Sequence, residues 1–107
     1  MTVDTITLTA VINQCFELSM DGQLSAAQRS KFLAHGKRLR GHLMNLLSAQ
    51  FTESSEALIN ANERLSEVNN ELKDDAAVLA ETAAVLNNIA KLSGTLDKLL
   101  NVAVAFI

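Results

Sequence analysis

The sequence predicts an all-α fold, an antiparallel helical bundle or coiled coil that is oligomeric, and three observations predict it. Hydrophobic residues make up 49% of the 107 residues and are mostly Leu, Ala, Val and Ile, of which Leu and Ala are good helix formers. There is no Pro, and Gly occurs only at positions 22, 36, 41 and 94, so nothing forbids long uninterrupted helices. In the second half, leucines recur at intervals of seven, the repeat of a helical seam. Residues 1–107 read as a single helical domain with helices over about 4–20, 25–49 and 53–105.

In the first segment Leu8, Ile12, Cys15 and Ser19 recur at helical spacing, and Val11, Phe16 and Met20 widen the same face. Thr5-Ile6-Thr7-Leu8-Thr9 also alternates with period two, a strand signal. The only antiparallel partner in view would be the Val102–Ile107 stretch, so the spacing predicts a helix.

Asp21-Gly22 marks a turn. Ser25-Ala26-Ala27-Gln28 then has the form of a capping box, in which the Ser hydroxyl accepts from the amide three residues on and the Gln side chain reaches back. Phe32, Leu39, Leu43, Leu46 and Leu47 follow on one face, with Gly36 within it, where a second helix could approach closely. Arg29 and Arg40 border that face and Lys37 lies further round. Thr52 or Ser54 could cap the next helix.

The third segment carries Leu58, Leu65, Leu72, Leu79 and Leu86 at sevens. Ala61, Val68, Asp75, Thr82, Ile89 and Leu96 form a companion row three residues on. That a/d pattern predicts a seam over one long helix, mildly kinked near 74–75, with a second candidate kink at Ser93-Gly94. Asp75 in the seam is either a device setting register or a solvated cap.

Charge is divided between segments. Residues 22–52 carry Arg29, Lys31, Lys37, Arg38 and Arg40 with no acid, a net +5; residues 53–81 carry eight acids against Arg64 and Lys73, a net −6. The plainest explanation is that the basic helix folds back on Glu56, Glu63, Glu67 and Glu71. A helix over 53–105 would be roughly 80 Å long and the second helix only about 37 Å at 1.5 Å per residue. The apolar C-terminal stripe Val85, Ile89, Leu92, Leu96, Leu99, Ala103 and Phe106 therefore lacks cover within the chain. Either the long helix breaks and folds back as a four-helix bundle, or a second copy covers the stripe. A self-association interface there is the favoured expectation.

No catalytic, metal or cofactor motif stands out, so no enzyme activity, cofactor or metal is expected. His35 and His42 are seven apart, whereas helical metal pairs favour three or four, and no third ligand is evident. Cys15 lies on an apolar stripe, where a free Cys usually acts as a small hydrophobe. The expected function is a protein–protein interaction or structural adaptor module that binds itself and another protein. The alternative is a regulator that binds nucleic acid or an anionic lipid surface through Arg29, Lys31, Lys37, Arg38 and Arg40. A basic helix leading into Leu heptads has the layout of a basic zipper. However, five cations interleaved with Phe32, Leu33, Ala34 and Gly36, in a chain of pI near 5.2, argue against nucleic acid. No stretch reads as a transmembrane helix. The N-terminal residues lack a basic region typical of a signal peptide. With a single Cys, these features give a cytoplasmic expectation.

Overall fold

The computed structural model describes residues 2–106. The chain is all-α, with about 75% of the described residues in helix. α1 spans Thr5–Leu18, α2 Ala26–Leu46, α3 Glu56–Leu72, α4 Asp75–Ala80 and α5 Thr82–Leu99. A 3₁₀ turn at Leu100–Val102 follows, and two short strands, β1 at Ala49–Gln50 and β2 at Ala105–Phe106, pair antiparallel.

α1 to α4 each begin where a side chain satisfies otherwise orphaned amides, whereas α5 starts after Glu81 with no side-chain cap. Asp4 caps α1 by accepting from Thr7 N at 3.1 Å and from Thr7 Oγ1 at 2.7 Å, so Thr5–Thr9 is helical and not a strand. Ser25 and Gln28 form the expected capping box of α2. α3 is capped by Ser55, whose Oγ accepts from Leu58 N at 3.2 Å, and not by Thr52 or Ser54. Thr52 instead accepts the Ser55 amide in the preceding turn.

The long helix expected over 53–105 is corrected: it is three helices. Asp74 adopts an extended conformation and caps a new start, accepting from Ala77 N at 3.2 Å. Glu81, at φ −127° and ψ 38°, separates α4 from α5. The Leu phase survives the break because each helix separately needs a buried row. That shared requirement is why the repeat could not distinguish one helix from two. The longest dimension of the molecule is 43 Å, about half of what one unbroken helix would need. Asp75 is exposed in the first turn of α4 and is solvated, but the cap is its neighbour Asp74. At Ser93-Gly94, the second candidate kink, α5 continues as helix.

α1 packs on α2 and α3, and α5 packs on α2 and α3. α1 and α3 begin at the same end of the molecule, where Asp4 N donates to Asn62 Oδ1 at 2.8 Å. α2 and α5 both end there, where β1 meets β2. The chain is thus two antiparallel helix pairs laid side by side, with α2 and α3 at opposite corners. The core between them holds Leu8, Phe32, Leu39, Leu46, Leu58, Leu65, Leu72, Ile89, Leu92 and Leu96, all with no exposed surface. At about 25 cal/mol per Å² of apolar surface removed from water, a fully buried Leu or Phe contributes about 1.5–3 kcal/mol. This row is therefore what holds the helices in register.

Candidate interaction surfaces

The apolar stripe does not need a second copy for its cover. Val85, Ile89, Leu92, Leu96 and Leu99 are each at most 2% exposed, because the break at residues 73–81 turns α5 back between α2 and α3. The expectation that the stripe is a self-association interface is corrected on that ground. At its far end, Ala103 is half-buried, whereas Phe106 is 60% exposed and Val104 62%. The seam leucines behave similarly: Leu58, Leu65 and Leu72 are fully buried, Leu86 is buried and Leu79 half-buried, all within one chain.

The basic helix does not dock on the acidic one. α2 lies on α1 and α5, diagonal to α3, because its apolar face seats against Phe16 and the α5 core row. Among the described residues no ion pair within 4.0 Å joins its cations to a carboxylate. Lys31, Lys37, Arg38 and Arg40 are exposed and Arg29 is half-buried. The Arg40 guanidinium stands over the Phe16 ring, 5.5 Å from its centroid, a cation–π contact.

At about 100° per residue, Arg40 and Lys37 flank one side of the solvent face of α2 and Lys31 and Arg38 the other. Ser30, Ala34 and Gly41 lie between them, and exposed Leu33 and Met44 lie beside Arg40. The opposite corner is acidic. Glu56, Glu63 and Glu67 point outward from α3, and Asp74, Asp75 and Glu81 are exposed around α4. One side of the molecule is thus positive and the other negative.

The two histidines sit at the edge of α2. Burial lowers the pKa of His42; nearby Asp97 opposes the shift and Arg38 adds to it. His35 is lowered by burial, Arg38 and Lys31. His42 Nε2 is buried without a hydrogen-bond partner, as is Ser93 Oγ on α5. Among the described residues no three His, Cys, Asp or Glu side chains are placed to hold a metal. Cys15 is buried, and burial pushes its thiol up to about 12, the opposite of an activated nucleophile. No helix among the described residues is long and apolar enough to cross a membrane.

Two features were missed in the sequence. One is the ribbon: β2 lies in the Val102–Ile107 stretch considered as a strand, but it pairs with Ala49–Gln50 and not with Thr5–Thr9, and two-residue strands are too short for a period to show. The other is a groove of about 350 Å³ between α3 and α5, lined by both Arg64 and Lys98. These residues lie 34 apart in sequence and only the fold brings them together. No protein-family model, curated protein or solved structure matches the chain.

Proposed function

We propose that this chain is a helical bundle with no catalytic role of its own. It would act as a cytoplasmic protein-interaction module that associates with further copies of itself through its two charged faces. The observation carrying this reading is the diagonal placement of α2 and α3. It leaves the +5 and −6 segments on opposite sides, unpaired within the chain, so that α2 of one copy complements α3 of the next. Lys31, Lys37 and Arg38 would meet Glu56, Glu63 and Glu67, with Leu33 and Met44 supplying apolar contact. Exposed pairs are each worth about 0–1 kcal/mol, and charges are screened beyond about 8 Å at physiological salt. Such association would be weak, reversible and salt-sensitive. Because the two faces differ, it is head-to-tail and can propagate beyond a dimer.

Sedimentation velocity at low and high salt tests it. The wild type should associate at low salt and dissociate at high salt. Lys37→Glu/Arg38→Glu and Glu63→Lys/Glu67→Lys should each be monomeric alone and associate when mixed. A wild type monomeric at every salt concentration would overturn the reading. The same open cations support a second reading, binding of nucleic acid or an anionic lipid surface through α2. Saturable, salt-dependent binding of duplex DNA or anionic vesicles by a monomer, lost in Lys37→Glu/Arg38→Glu, would establish that one instead.

A further inference from the structure

The groove between α3 and α5 lies at the end where the 3₁₀ turn begins, and its chemistry is distinct from either charged face. Arg64 comes from α3 and Lys98 from α5, and no acidic side chain lines the space. Ala57 and nearly inaccessible Leu99 form an apolar wall, and Val102 stands half-exposed at the mouth. Asn60 lines the groove, and its side chain makes no hydrogen bond among the described residues. Two like charges beside one cavity repel each other and attract an anion.

Among the described residues no ion pair within 4.0 Å joins either cation to a carboxylate. Glu67 and Glu71 line the adjacent cavity on the other side of Arg64. The Glu71 carboxylate is already held by Asn88 Nδ2, at 3.1 Å from each oxygen. Those acids also exclude a negative group from that side, so an anion in the groove must carry its body the other way, toward Leu99 and Val102.

We propose that this groove binds a small carboxylate with an apolar body, its head held by Arg64 and Lys98 and its body lying on Ala57, Leu99 and Val102. The planar guanidinium fork suits a carboxylate, which it can hold by two parallel hydrogen bonds. Asn60 supplies a further amide donor. A volume of about 350 Å³ falls at the small end of ligand clefts, roughly 300–1,000 Å³, which suits a short chain or a single ring.

Titration of the isotopically labelled full chain with octanoate, followed by amide chemical shifts, tests the site. Octylammonium and inorganic phosphate serve as probes carrying only one half of the chemistry. Octanoate should give saturable shifts centred on Asn60, Arg64, Thr95 and Lys98. Arg64→Gln/Lys98→Gln should weaken it by about tenfold or more, the scale of one charge-assisted hydrogen bond. Both side chains are exposed, so the thermal midpoint of that variant should stay at the wild-type value, which separates lost binding from lost folding. No saturable shift, or equal affinity for octylammonium, would overturn the charge assignment. Phosphate binding as tightly as octanoate would overturn the apolar part. The α2 face is untouched by these substitutions, so failure here is independent of the self-association test.

Discussion

Phe16 of α1 lies flat against Gly36 of α2: a Cβ at position 36 would stand 2.9 Å from Phe16 Cε1 and within 3.2 Å of two further ring carbons. The glycine lets the helices approach, and the ring it admits also carries Arg40. Gly36→Leu should therefore destabilise by about 1–3 kcal/mol through overpacking. Gly36→Ala should show less, because about 1 kcal/mol of helix propensity offsets the displaced ring. Gly41, on the solvent face of the same helix, has nothing within 4 Å of its missing Cβ. Gly41→Ala should stabilise by about 0.5–1 kcal/mol. Chemical denaturation of the three variants checks the contrast; equal effects at 36 and 41 would show that α1 and α2 do not meet at Gly36.

Leu65 and Leu72 have no exposed surface and sit on the face of α3 turned to the other helices. Leu65→Ala or Leu72→Ala should each cost about 2–5 kcal/mol, transfer and cavity together. Leu33 is exposed on α2, and Leu33→Ala should change stability by no more than about 0.5 kcal/mol. Thermal melts of the three variants measure the difference.

His42 and His35 give stability an acid limit. Their folded pKa values are lowered below about 6.5 by burial. Below that pH the unfolded chain binds more protons, so this contribution is present above about 6.5 and is lost as pH falls toward the folded values. The thermal midpoint should drop between about pH 7.5 and 5, and the drop should be smaller in His35→Gln/His42→Leu. Removing the unpartnered Nε2 of His42 should make His42→Leu neutral or stabilising near pH 7, since a buried polar atom without a partner costs about 1–3 kcal/mol. A slope unchanged in the double variant would place the acid sensitivity elsewhere.

Cys15 should resist thiol reagents at neutral pH until the chain opens, because it is buried and its thiol is pushed up to about 12. The sign for stability is opposite to that of the histidines. The unfolded thiol ionises near about 8.5, so stability present below that pH is lost as pH rises toward 12. Labelling rates measured against denaturant should track global unfolding; rapid modification of the native chain would show that the helices packed on α1 do not cover this position.

Local chemistry was enough to determine α1 and α2, but not the division of 53–105 into three helices. Asp4, Ser25 and Asp74 each sit at a start because a short oxygen-bearing side chain satisfies amides that the helix leaves free, and the 3.6-residue period marked which residues face inward. The Leu58-Leu65-Leu72 row was legible for the same reason. The sequence could not say where the chain turns back. A heptad row requires only that one face be buried, and it is blind to whether that face meets a second copy or another part of the same chain. Tertiary structure decided that by turning at residues 73–81, which buries Leu92, Leu96 and Leu99 internally and removes the expected dimer stripe. It also decided the placement of charge. Segment totals suggested that the basic and acidic helices are partners, but apolar burial outweighs exposed ion pairs by severalfold per residue. α2 therefore went where Phe32 and Leu39 could be buried, leaving its cations facing away from α3. The meeting of Arg64 with Lys98 was likewise settled only by the pairing of α3 with α5, since residues 34 apart become neighbours through packing and not through any local preference.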